Sequence, residues 1–235
     1  MTATGFPFHS GSLLVWAWAG LVMAGCVSTD GKKEFIDNNL QVSKTSATPG
    51  AGNTVTFKGA PLKLEGSAFK AGDTLHDATL VDTDLKPVNI TDGKGKIRII
   101  SVVPSLDTPV CEQQTHYLSE KSMDLDRDVQ LLTVSVDTPF AQKRFAKEAR
   151  ISNVTFLSDY RGGDFGRAEG LLVTDLHILA RSIMVVDKDN VVRYLQVVPE
   201  LTTMPDMEAA FNAARKIAGR AMPLPPLGSF GGFSY

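Results

Sequence analysis

Cysteine is scarce: the 235 residues hold Cys26 and Cys111 and no other. Standing far apart in the chain, these two cysteines are neither a disulfide framework nor a zinc set. Histidine is nearly as sparse. His9, His76, His116 and His177 stand apart without ligand spacing, so the sequence offers no metal motif and calls for no cofactor. Lysine and arginine form no run or stripe and the net charge is −2, which removes the electrostatic footprint of a nucleic-acid binder. Long apolar runs are missing too. The run Leu13–Gly25 gives about 20 Å of helix against the ~30 Å of a bilayer's hydrocarbon, too short to span comfortably. No internal repeat is visible. What is present is an ordinary composition, 43% hydrophobic, with room for one well-cored domain.

The short apolar run fits the central region of a secretory signal. It ends in Met23-Ala24-Gly25-Cys26, which resembles the bacterial lipobox, where the cysteine is lipidated and becomes the new N-terminus. Met23 stands where leucine is usual, and the residues before the run carry His9 but no Lys or Arg. An ordinary cleaved signal, or an extended start without a targeting role, is the other reading. Residues 1–26 are therefore expected to be a signal peptide ending at a lipidated Cys26. Residues 27–52, polar and without periodicity, read as a flexible tether. Residues 53–219 form the folded domain, and the Pro/Gly-rich 220–235 read as a loose, disordered tail.

Within the domain, Thr54–Phe57 and Leu62–Glu65, joined through Lys58-Gly59-Ala60-Pro61, predict a β-hairpin. Short strands follow near Ala78–Val81 and Leu85–Ile90. Lys96–Val103 and Val129–Val136 are apolar and β-branched, as central strands require. Helices are expected from Pro109 to about Met123 and from Pro139 to about Ala149, with a weak helix or turn over Asp164–Leu171. Val154–Leu157 is a short strand, and Ser182–Val186 with Val191–Val198 make a hairpin. A last helix runs from Pro205 to about Ala218, its Met207, Ala210, Phe211, Ala214 and Ile217 at helical spacing for a core stripe. The pattern predicts an α/β fold, a mixed sheet flanked by helices with an N-terminal hairpin.

One stretch organises the rest. Lys96–Val103 leads into Pro104-Ser105-Leu106-Asp107-Thr108-Pro109-Val110-Cys111. Thr108 is a good N-cap and Pro109 suits the first helical position, which places Cys111 in the first turn. There a thiol faces unpaired N–H groups and the positive end of the helix dipole, a setting that favours the thiolate. The residue types alone leave two readings open: a small buried hydrophobe, or a reactive cysteine.

Pro104, Thr108 and Cys111 form a Pro-x-x-x-Thr-x-x-Cys pattern that resembles the peroxidatic motif of peroxiredoxins. Further matches run in order through Thr54–Gly59, Pro104–Thr108, Asp137–Gln142 with Arg144-Phe145, Ala180-Arg181, and Glu200–Thr203. Together they are similar to the thiol peroxidase branch, over roughly Asn53–Gly219. The resemblance implies a thioredoxin-like fold and a peroxidase with Cys111 as nucleophile. It also implies that Thr108 hydrogen-bonds peroxide or thiolate, that Pro104 screens the pocket, and that Arg181 polarises the peroxide oxygens. For Arg181, spacing alone favours a surface salt bridge instead. Implied partners are a hydrogen peroxide or organic hydroperoxide substrate, a thioredoxin-like or small-molecule thiol reductant, and a second copy in a homodimer.

The chain departs from that branch where a resolving cysteine would follow the Arg-Phe pair: Arg144-Phe145 is followed by Ala146. With Cys26 lipidated, a one-cysteine peroxidase in the cell envelope is expected, touching the membrane only through its lipid. A catalytically idle member serving as a binding or scaffold module is the alternative. A disulfide reductase wants Cys-x-x-Cys, which Val110-Cys111-Glu112-Gln113-Gln114 does not supply.

Overall fold

The structure, a computed structural model, describes residues 39–122, 125 and 129–220. The apolar run Leu13–Gly25, Cys26, the first part of the expected tether and residues 221–235 lie outside the described residues.

The centre is three parallel strands, β5 (Ile97–Val102), β6 (Val129–Ser135) and β7 (Val154–Ser158). Every residue of β5 is buried. A strand covered on both faces has no reason to alternate polar with apolar, hence its continuous apolar reading. Its side chains still alternate in direction. Ile97 and Ile99 enter one core, Ile100 and Val102 the other. Strands β10 (Ser182–Val186) and β11 (Val192–Val197) add antiparallel on one side, and β3 (Thr79–Asp82) and β4 (Pro87–Asn89) on the other. The order is β11-β10-β5-β6-β7-β3-β4.

On one face, α1 (Pro109–Lys121), α2 (Pro139–Glu148) and α4 (Met207–Ile217) close a core that holds Ile97, Ile99, Cys111, Leu118 and Phe211. The stripe predicted for the last helix packs here, with Met207, Ala210, Phe211 and Ala214 buried. On the other face, Phe165 of α3 (Asp164–Ala168) joins a core with Val55, Leu64, Leu172 and Leu179.

Those four come from a second sheet, which the sequence reading did not separate. Its order is β1 (Thr54–Phe57), β2 (Ala60–Glu65), β8 (Leu172–Val173) and β9 (Ile178–Leu179). Strands β8 and β9 are two residues each, too short to leave a periodic signal. The β1–β2 turn is Lys58-Gly59, with φ of 51° and 81°. This doubly left-handed pair matches the twist of a two-residue hairpin.

The expected flexible tether requires correction from residue 39 onward. Val42 bridges Met204 and Ala47 bridges Val197. Gln196 Nε2 donates to the carbonyls of Ser43 and Thr45 at 3.0 and 3.1 Å. Strand β11 is a sheet edge with backbone groups to satisfy, and a polar segment can cover it through its own backbone without any hydrophobic pattern.

Candidate active site

The site forms where β5 gives way to α1. Pro104 is buried at the strand's end, and the loop Ser105–Thr108 is clamped from below by Asp137, just past β6. The Asp137 carboxylate accepts from Ser105 Oγ at 2.8 Å, Leu106 N at 2.7 Å and Ser135 Oγ at 2.8 Å. Pro109 then opens α1, its fixed φ suited to the first helical position.

Thr108 occupies the N-cap position in extended backbone, but its side chain caps nothing. Its hydroxyl donates back to the Ser105 carbonyl at 3.1 Å, so the expected side-chain cap gives way to a turn inside the loop. Cys111, at the third helical position, is fully buried and unpaired by disulfide.

Arg181 reaches it from the gap between β9 and β10. Its Nη2 lies 3.3 Å from Cys111 Sγ, its Nη1 donates to Gln114 Oε1 at 2.8 Å, and its Nε to the Leu201 carbonyl at 2.9 Å. The side chain is 2% exposed, which overturns the surface-salt-bridge reading. None of these three partners is a carboxylate, so the positive charge remains available to an anion forming at the sulfur. Gln114 is itself held by Ser101 Oγ at 2.8 Å and the Ser182 carbonyl at 3.2 Å.

A pocket of about 430 Å³ opens beside this cluster. Pro104, Thr108, Val110 and Arg181 line one part, Phe57 and Leu201 another. Its walls are mostly apolar, with the Arg181 guanidinium as their charged element nearest the sulfur. A buried thiol on a helix N-terminus, a guanidinium on its sulfur and a sheltered pocket are what thiol attack on an oxidant needs.

Of the predicted site residues, the structure brings Pro104, Thr108, Cys111 and Arg181 together, while Cys26 lies outside the described residues. Ala146 is half-buried on α2 and packs against the same core as Cys111. Sequence reasoning missed Gln114, Asp137 and the Leu201 carbonyl. Gln114 was findable, one helical turn after Cys111. The backbone carbonyl had no signal to give.

Residues 70–211 match the Redoxin family. A thiol peroxidase of Halalkalibacterium halodurans is 45% identical over 162 residues, covering 69% of this chain and 97% of that protein. The chain belongs to the thiol peroxidases of the peroxiredoxin family. A second relative, the thiol peroxidase of Staphylococcus saprophyticus, is 46% identical over 163 residues, with 69% and 98% covered. Among solved structures, a peroxiredoxin-like protein from Aquifex aeolicus superposes with a TM-score of 0.66 at 39% identity, covering 70% of this chain and 96% of that one. The molecule is thus a thiol-dependent peroxidase, an oxidoreductase on a thioredoxin-like fold. The family implies a peroxide as substrate and a thiol as reductant.

Proposed function

We propose that Cys111 is the peroxidatic nucleophile of a one-cysteine thiol peroxidase that reduces hydrogen peroxide and organic hydroperoxides. The contact of Arg181 Nη2 with Cys111 Sγ, at the N-terminal turn of α1 beside the pocket, carries the reading. The thiolate attacks one peroxide oxygen and the O–O bond breaks. The other oxygen leaves with the electron pair, takes a proton and departs as water or alcohol, and Cys111 becomes a sulfenic acid. Arg181 stabilises the charge on the leaving oxygen, the Thr108 hydroxyl turns from Ser105 to the peroxide, and Pro104 excludes water.

One external thiol then forms a mixed disulfide with release of water, and a second thiol frees Cys111. No partner sulfur sits at position 146, which supports the one-cysteine cycle. Purified protein should consume peroxide only with added thiol, and Cys111→Ser should fall on the order of a thousandfold or more, because a serine hydroxyl stays protonated near neutral pH. Turnover of Cys111→Ser within a few-fold of wild type would remove Cys111 from the mechanism.

The proposal extends to assembly and place. Phe57 and Leu176, 44% and 52% exposed at the pocket rim, support a homodimer packed beside the site. A monomer in sedimentation at micromolar concentration would count against it. The lipobox-like segment supports lipidation of Cys26 in the bacterial envelope. Mass spectrometry finding Met1 intact, or another cleavage point without lipid, would end that part.

A further inference from the structure

The pocket wall facing Pro104 and Val110 is made by two segments distant in sequence: the β1–β2 hairpin tip, with Phe57 and Lys58, and the loop after β11, with Leu201 and Thr202. Glu200 joins them. Its Oε2 accepts from Thr56 Oγ1 at 2.8 Å and Gly59 N at 3.0 Å. Its Oε1 accepts from Lys58 N at 3.0 Å, Thr202 N at 3.1 Å and Thr202 Oγ1 at 2.8 Å. The left-handed backbone at Lys58 and Gly59 turns two successive N–H groups to one side, where they meet the carboxylate. Five donors converge on it and none is a side-chain cation.

The next residue connects this cluster to the sulfur. Leu201 N donates to the Thr56 carbonyl at 2.8 Å, and the Leu201 carbonyl receives Arg181 Nε at 2.9 Å. Turning that carbonyl would rotate the guanidinium whose other nitrogen lies on Cys111 Sγ.

We infer that Glu200 is a positioning residue for the peroxidase reaction, holding the hairpin tip and the Leu201 carbonyl so that Arg181 faces Cys111. It touches neither the sulfur nor the peroxide and acts through Arg181. The inference rests on Cys111 being the nucleophile. Backbone bonds between the two segments, Thr56 N to the Pro199 carbonyl at 2.7 Å among them, do not involve the carboxylate, so the fold is expected to persist without it.

The experiment is stopped-flow oxidation of Cys111 by hydrogen peroxide, with alkylation by iodoacetamide at neutral pH and a melting curve for each variant. Glu200→Ala should slow oxidation by about tenfold to a hundredfold, the range expected when a catalytic group is displaced by an ångström or less. Alkylation should slow with it. Glu200→Gln should lose less, since one acceptor oxygen remains. A purely structural role would lower the melting temperature while leaving both rates at wild-type values well below melting, and that result overturns the inference. Should Glu200→Ala not fold, Thr56→Val removes a single donor. It should slow oxidation by roughly fivefold, one hydrogen bond's worth, and unchanged rates there and in Glu200→Gln overturn the inference equally. If Cys111→Ser itself keeps its turnover, the nucleophile assignment has failed instead.

Discussion

Each end of the central strand β5 buries an arginine, and the two do different things. At the C-terminal end, Arg181 is 2% exposed, with its guanidinium on a carbonyl, an amide and the Cys111 sulfur. Towards the N-terminal end, Arg98 is fully buried, donating to the Ile90 carbonyl at 2.5 Å and to Asn190 Oδ1. Its Nε has no partner among the described residues. Burial pushes the Arg98 guanidinium below its ordinary value, with Asp187 pulling the other way. Gly93 lies so close that an added Cβ would sit 2.7 Å from Arg98 Cδ. One arginine ties three chain segments together; the other points its charge at a buried thiol beside a pocket. Burial of a guanidinium therefore says little about function until its partner is known.

The largest expected effect breaks the reactive end. Arg181→Met should slow Cys111 oxidation by about a hundredfold, the scale for losing one preorganised donor at a developing charge. Stopped-flow rates test this, and a rate near wild type would reduce Arg181 to a staple like Arg98. The matching substitution sharpens the contrast. Arg98→Met should leave that rate within about twofold while costing about 1–3 kcal/mol of stability, because the Ile90 carbonyl and Asn190 lose their donor inside the protein. Chemical denaturation measures the loss, and a large rate effect would mean the two ends are coupled.

A smaller, conditional effect comes from giving the reactive end a second sulfur. Without one, excess peroxide should carry Cys111 from sulfenic to sulfinic acid. Ala146→Cys, on the helix that shares its core, should form an intramolecular disulfide on oxidation and suppress the sulfinic product in mass spectra. Two free thiols after peroxide treatment would mean that position 146 is not the resolving position.

The smallest effects are in pH, and they again separate two regions. Around Glu200 burial opposes the charge, but the N–H and hydroxyl donors of Gly59, Thr56, Lys58 and Thr202 outweigh it and hold the carboxyl at about 2. Its stabilisation is present above its ordinary 4.5 and is lost as pH falls towards 2. Glu169 is the reverse. Burial pushes it up to about 7, against the backbone and imidazole of His76. Its contribution is complete below 4.5 and disappears as pH rises through 7. Stability curves against pH should therefore lose their acid limb in Glu200→Gln and flatten between pH 5 and 7 in Glu169→Gln. Unchanged curves would show that neither carboxyl differs between folded and unfolded states.

The legible parts of the molecule were those written in consecutive residues. β5, β6, the β1–β2 and β10–β11 hairpins and helices α1, α2 and α4 announced themselves through β-branched runs, turn residues and an apolar stripe, whereas α3 read only as a weak helix or turn. So did Cys111 at a helix start, since Thr108-Pro109 sets the boundary locally. The second sheet was not legible, because β8 and β9 are two residues each and exist only through pairing. The docking of residues 39–52 was not legible for a similar reason: backbone bonds to Met204 and to Val197 of β11 require no particular side chains.

By itself the sequence determined that a thiol stands at the positive end of a helix, after a buried strand and without a sulfur at position 146. Only the tertiary structure decided that Arg181, spaced like a surface residue, turns inward to that thiol, and that Glu200 and Asp137 hold the two walls around it. The physical reason is range. Capping, periodicity and turn chemistry act over a few residues, whereas a guanidinium–sulfur contact joins positions 70 residues apart and exists only once two sheets and a helix have closed on each other.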